Sequence, residues 1–357
     1  MSTLYITKPN TILNVSDKYF QIHQQNQLQA EIPIHQVSQI IIFSPNKISP
    51  QATRIALSEQ KPILYISEQG YLLVHLNDFQ PPLSKTLIQQ KKQWRNQTFS
   101  HLLAETLIRA KLHNKCTLLR RLNHSHSTQL ATEAIKTLAL LLEHLPSVNS
   151  HKALWFYHNK ANNLYYPALG SLLPEVFQFH QRQDTPPLDY INTLLNLGYA
   201  LLSQNLFTFI REVGLNPHWG HFHLNCINHT PLVCDLMEQF RAPIVEDLVI
   251  NLVNSQLLTC DDFLPPDDLG NYLLSPAALE KFIYHWEAKL TAQINHYLAG
   301  QMTYRRCLQW QVQAYVDYLL GKIDFYQPLF VTWKANKPLA LFPVKQTIKQ
   351  RRFVSFS

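Results

Sequence analysis

The hydrophobic period of this chain changes once, and that change divides it. Up to residue 80 the apolar residues fall in short runs rich in β-branched and aromatic side chains: Leu4-Tyr5-Ile6, Thr11 to Val15, Tyr19 to Ile22, Ile32 to Phe43, Ile63 to Ile66 and Tyr71 to Val74. Turn-forming pairs such as Pro9-Asn10, Ser16-Asp17 and Gln69-Gly70 punctuate them, which is the pattern of a small sheet. One helix is expected in their midst, because Ser49-Pro50 supplies an N-cap and an N1 proline ahead of Ala52, Ile55 and Ala56. Past Phe79-Gln80-Pro81-Pro82, where two prolines end a strand and stiffen a link, apolar residues recur at three and four. Helical spacing runs over 83–122 and 190–213, with further helices expected at 129–144, 150–173, 231–256, 275–299 and 303–320. The expected fold class is α+β: a small N-terminal β-sheet domain (1–80), a linker (81–84), a larger all-α catalytic-type domain (85–333) and a basic C-terminal tail (334–357).

Charge follows the same division. The formal net charge is +7, yet residues 1–84 hold five basic and five acidic side chains, so the surplus lies beyond them. A basic second part favours a polyanion, most often nucleic acid. The five cysteines show no CxxC pair, against both a disulfide framework and a zinc knuckle. No run of eighteen apolar residues and no signal-peptide pattern is present, so a cytoplasmic location without a membrane partner is expected.

The richest stretch chemically is Gly214 to His223 followed by Pro231 to Arg241. Asp235 and Glu238, three apart, share one helical face, and His221 and His223 form an HxH pair ahead of them. Two carboxylates with imidazole nearby suit a hard divalent ion, Mg²⁺ or Mn²⁺. The other reading pairs Glu238 with Arg241 and sets Asp235 against the helix dipole. The cations Arg109, Lys111, Arg182, Arg241, Arg305 and Arg306 divide likewise between phosphate contact and solvated helical faces with snorkelling stems.

Several segments together resemble the CRISPR-associated protein one family. They are Arg109-Ala110-Lys111-Leu112-x-Asn114; Leu164-Tyr165-Tyr166 with Leu169-Gly170-x-Leu172-Leu173-Pro174; Arg182 with Pro186-Pro187-x-Asp189-x-x-Asn192 through Tyr199; Gly214 to His223; Asp235-Leu236-Met237-Glu238-x-Phe240-Arg241; and Gln311 with Tyr318-Leu319-x-Gly321. They keep the family order.

The resemblance implies an integrase and endonuclease of CRISPR adaptation. Its β domain forms a homodimer, and two dimers assemble around a small ferredoxin-like adaptation protein. The complex takes a prespacer duplex of DNA and joins its 3′-hydroxyl ends to the CRISPR repeat by metal-dependent transesterification. The implied metal and catalytic residues are His223 and Glu238 with Asp235 beside them. A third family ligand, a glutamate eight residues ahead of the aromatic that is here Tyr166, falls on His158. Imidazole in place of carboxylate removes a negative charge and a hard oxygen, which weakens Mg²⁺ and favours Mn²⁺. The sequence leaves open an active site of His158, His223 and Glu238, a silent relative that keeps DNA binding and assembly, and a structural scaffold. It also leaves open a carboxylate from elsewhere, such as Glu143 or Glu175, in the third place.

Overall fold

The computed structural model describes residues 2–67, 72–76, 84–145, 150–177, 179–183, 187–223, 230–268 and 270–333. Residues 81–83 of the linker expected at 81–84 and the basic tail expected at 334–357 lie outside them.

The N-terminal part holds two four-stranded sheets. The first runs in the order β1 (Ser2–Ile6), β5 (Val37–Phe43), β7 (Ile63–Ile66), β8 (Leu72–Leu76), the first three parallel and β8 antiparallel. The second runs β4 (Gln27–Pro33), β3 (Tyr19–Gln24), β2 (Thr11–Ser16), β6 (Lys47–Ile48). The run expected as one strand from Ile32 to Phe43 is interrupted by a 3₁₀ turn at Ile34–Gln36 that moves the chain from one sheet to the other. Helix α1 (Pro50–Ser58) starts as anticipated, with Ser49 Oγ accepting from the Ala52 amide.

Strand β5 is buried on both faces. Its alternation sends Ile40 and Ile42 into a cluster with Leu13, Phe20, Ala52 and Ala56. It sends Ile41 and Phe43, with Leu64 and Ile66 of β7, into the core of the helical part. Polar contacts reinforce that junction: Tyr5 Oη donates to Glu287 Oε1 (2.6 Å), and Thr208 Oγ1 donates to Gln39 Oε1 (3.0 Å). The β part and the helices therefore share a hydrophobic core.

The helices are α2 (Lys85–Trp94), α3 (Gln97–His126), α4 (Gln129–His144), α5 (His151–Gly170), α6 (Tyr190–Glu212), α7 (Pro231–Met237), α8 (Asp247–Asn254), α9 (Pro276–Thr291) and α10 (Tyr304–Leu319). The single helix expected over 83–122 is two, because Asn96 ends the first and caps the second through its side chain on the Phe99 amide. The segment expected as one helix over 231–256 is α7, a turn at Glu238, a π-helical stretch (Arg241–Glu246) and α8. Pro243 explains the break. It has no amide for the carbonyl of Gln239, four residues back, and Asn114 Nδ2 donates to that carbonyl instead (2.7 Å). The helix expected over 275–299 ends at Thr291. Residues 293–296 instead alternate between exposed and more buried positions and pair in a hairpin, β9 (Gln293–His296) with β10 (Gly300–Thr303). Among the described residues, no helix is long and apolar enough to cross a membrane.

Candidate metal centre

Three elements deliver the site. α5 carries His158, the loop after α6 carries His223, and the turn closing α7 carries Glu238; one potential ligand atom from each lies within 4.8 Å of the others. All three residues are buried, at 7%, 7% and 2% exposure.

Asp235 positions the loop. Its Oδ2 accepts the amides of His221 (2.5 Å) and Phe222 (3.0 Å), and its Oδ1 accepts the amide of His223 (3.0 Å). This wrapping needs Gly220, where a Cβ would meet the backbone and side chain of Pro231 at 2.6 Å. Asp235 Oδ1 also lies 2.7 Å from His223 Nδ1. A carboxylate offers no proton, so Nδ1 carries the one between them, which turns Nε2 toward Glu238 Oε1 at 3.6 Å. Burial alone would raise the Asp235 pKa, but the hydrogen bonds from His223 and from the His221 amide hold it below the usual carboxylate range. The oxygens of Asp235, expected beside the metal, are taken up by amides and imidazole, and among the described residues the cluster is His158, His223 and Glu238.

Glu238 is ionised. Burial raises its pKa, but the charges of Lys111 and then Arg241 outweigh that and hold it well below the ordinary value. His158 is held neutral, well below the usual histidine range, by burial first and the Lys111 charge second. Two imidazoles and a carboxylate in an enclosed site, backed by a wall of Trp155 stacked on Phe222 (4.6 Å), form a donor set that fits a divalent ion with an affinity for nitrogen. His221 belongs elsewhere. Its Nδ1 meets Ser100 Oγ (2.8 Å) and its Nε2 meets Tyr315 Oη (2.7 Å), tying the loop to α3 and α10. Glu143 and Glu175 are exposed and outside the cluster.

Lys111 also departs from expectation. It is 2% exposed, with Nζ 2.9 Å from Glu238 Oε2 and 3.0 Å from His158 Nδ1, so it is an internal counter-charge and not a phosphate contact. Arg241 Nε faces Glu238 Oε1 at 3.4 Å and its guanidinium lies over the Tyr199 ring (4.6 Å). Arg182 Nη1 donates to Asn192 Oδ1 (2.9 Å), latching the segment before α6, whose N-cap is Asp189. Arg109 pairs with Glu105 and Arg305 with Glu287, each at 2.6 Å. Arg306 is exposed, with Nη1 3.4 Å from Gln309 Oε1. The cations picked from the sequence are thus mostly committed within the fold.

Sequence reasoning passed over Glu246, five residues beyond Arg241, and saw Lys115, four beyond Lys111, only as one more cation of a basic helical stretch. Asn162 Oδ1 accepts from Lys115 Nζ (2.9 Å), while Asn162 Nδ2 lies 3.3 Å from His158 Nε2. Glu246 takes the hydroxyls of Tyr165 (2.6 Å) and Tyr199 (2.7 Å) and sits 3.9 Å from Lys115 Nζ. Burial pushes the Lys115 ammonium down to about 7. The spacing 158, 162, 165 on α5 is one helical face; it was the available signal, hidden because tyrosine and asparagine are common in helices.

The chain matches the family described as CRISPR associated protein Cas1 over residues 4–288. A relative named CRISPR-associated endonuclease Cas1 3, from Thermus thermophilus, is 30% identical over 92% of this chain and 94% of its own length. Among solved structures, a casposase bound to integration product superposes with a TM-score of 0.81 at 21% identity, covering 92% of this chain and 93% of that one. A chain of a Cas6-RT-Cas1--Cas2 complex gives a TM-score of 0.82 at 21% identity over 92% of this chain, which spans only 36% of that longer one. At those identities the two structures establish a shared fold. On the family match and the Thermus relative, this chain belongs to the CRISPR-associated Cas1 family.

Proposed function

We propose that this protein is a divalent-metal-dependent DNA integrase and endonuclease of CRISPR adaptation, which joins the 3′-hydroxyl ends of a prespacer duplex to the CRISPR repeat. The observation that carries this reading is the convergence of His158, His223 and Glu238, in a chain whose relatives are named endonucleases. These three residues would hold the metal. When bound, the ion supplies a Lewis acid that neutralises charge on the attacked phosphate and lowers the pKa of the attacking hydroxyl. The chain's own groups do the rest: Asp235 fixes the His223 tautomer, Lys111 and Arg241 hold Glu238 ionised, and Trp155 with Phe222 closes one side against water.

The nitrogen-rich donor set favours Mn²⁺ over Mg²⁺. A silent relative would be expected to turn residue 158 away from the other two ligands, whereas its imidazole lies among them. Dimerisation through the β part and assembly with a small ferredoxin-like partner belong to the same reading, supported by the fold shared with a chain of a Cas1--Cas2 complex.

The test is strand transfer of a fluorescent duplex with 3′ overhangs into a plasmid carrying a CRISPR repeat, in Mn²⁺, in Mg²⁺ and in EDTA. Products are expected in Mn²⁺, fewer in Mg²⁺ and none in EDTA. His158→Ala, His223→Ala and Glu238→Gln should each abolish them. Transfer that survives EDTA or all three substitutions overturns the reading.

A further inference from the structure

Several of the expected arginines hold ion pairs within the fold, whereas α2 offers exposed cations with no acidic neighbour in its own segment. Between residues 84 and 104 the chain has Lys85, Lys91, Lys92 and Arg95 and no carboxylate. Lys91, Lys92 and Arg95 are exposed. Beside them Trp94, 37% exposed, lies nearly parallel to Trp219, with ring centroids 5.9 Å apart and planes 18° from each other. Lys91 Nζ sits 5.9 Å from the Trp219 ring.

The two tryptophans come from different elements locked into one unit. Gln90 on α2 donates through Nε2 to the Asn216 carbonyl and accepts the Asn216 amide through Oε1, both at 2.8 Å. The loop so held runs from Gly214, at φ +76°, to His223. Trp219 and His223 are four residues apart, so their Cα atoms lie no more than about 14 Å from each other. An aromatic pair at the surface beside Lys91, Lys92 and Arg95, within a few nucleotides' reach of the metal cluster, matches the way proteins hold unpaired nucleotides: rings stack on bases while cations track phosphates. Bases paired in the interior of a duplex present no free face to such a platform.

We infer that Trp94 and Trp219 form a stacking platform for unpaired nucleobases of the DNA strand end delivered to the His158, His223 and Glu238 cluster. The inference rests on the proposed DNA function and adds a subsite to it.

The experiment uses the full chain in EDTA, so that binding is read without catalysis. Fluorescence anisotropy is measured with three labelled probes: a blunt duplex, a duplex with a five-nucleotide 3′ overhang, and the same overhang built of abasic residues. Trp94→Ala and Trp219→Ala should weaken the overhang probe about five- to a hundredfold, the range for loss of one stacked base. They should leave the blunt and abasic probes unchanged. Trp94→Tyr and Trp219→Phe, which keep a ring, should restore most of the affinity and guard against misfolding. Equal weakening of all three probes, or none on the overhang probe, overturns the platform. So does a change in light-scattering mass with the alanine variants, which would make the pair a contact between copies. Failure of the native chain to bind any probe would instead sink the DNA function itself.

Discussion

Lys111 Nζ lies 2.9 Å from Glu238 Oε2, and both side chains are only 2% exposed. An ammonium thus stands beside the carboxylate that is the one anionic ligand of the site, and 3.0 Å from the His158 ring. A buried charge stripped of its partner costs about 3–5 kcal/mol. In Lys111→Met, Glu238 keeps only Arg241 at 3.4 Å as a nearby full charge, so the metal-free protein should melt markedly lower. The same change removes a positive charge next to the metal, so the rise in Tm on adding Mn²⁺ should exceed that of the native chain. A smaller Mn²⁺ increment in the variant would show that Lys111 supports the metal instead of competing with it.

Asp235→Asn replaces an acceptor by an amide of nearly the same shape. One of its two positions can no longer accept, so either a loop amide or His223 Nδ1 loses its partner. Loss of such an orienting carboxylate typically costs about 10–100-fold in metal affinity or activity. Calorimetric titration with Mn²⁺ should show weakening of that order, with Asp235→Ala at least as severe. Unchanged affinity would mean that His223 is oriented by other contacts.

His158→Glu restores an oxygen donor and a negative charge. Mg²⁺-dependent strand transfer should rise relative to Mn²⁺-dependent transfer, because a hard ion prefers carboxylate to imidazole. In the native site Zn²⁺ should bind more tightly than Mn²⁺, following the order of affinities at nitrogen-containing sites. Competition titrations check both statements, and a native site that prefers Mg²⁺ to Mn²⁺ contradicts them.

His75 on β8 packs edge-on against Phe207 at 4.1 Å. Burial, then the charge of Arg211, pushes its pKa down to about 4. The unfolded imidazole titrates near 6.5, so between these values the unfolded chain binds the extra proton. Stability should therefore fall as pH drops from about 6.5 toward 4 and this contribution should level off below. His75→Phe, which keeps a ring, should remove a share on the order of 2 kcal/mol from that fall. Identical pH profiles of Tm for the two proteins would exclude His75 as the source.

The shared core bears on dissection. Removing residues 1–84 strips Ile41, Phe43, Leu64 and Ile66 from the helical cluster, each worth roughly 1.5–3 kcal/mol of burial. The remaining fragment should aggregate or melt broadly instead of yielding a folded monomer, as size-exclusion chromatography with differential scanning calorimetry will show. A cooperatively folded fragment would mean that the junction is dispensable.

Much of this architecture is local and was readable in order along the chain. The change from short β-branched runs to three-and-four spacing located the β part and the helical part. Ser49-Pro50 announced a helix start because capping is settled within three residues. His223 and Glu238 were named from their motif, and His158 from its register. What the sequence could not decide was which polar groups meet. Lys111, Arg241, Asp235 and His221 looked like surface or ligand residues, yet long-range packing of α3, α5 and the 214–223 loop turned them inward to balance one another. Periodicity reports which face of an element is apolar; it carries no information about which two elements converge. Burial by a partner far away in sequence makes Lys111 a counter-charge, while Trp94, on an ordinary amphipathic helix, stays exposed beside Trp219 because the Gln90 and Asn216 clamp brings their elements together.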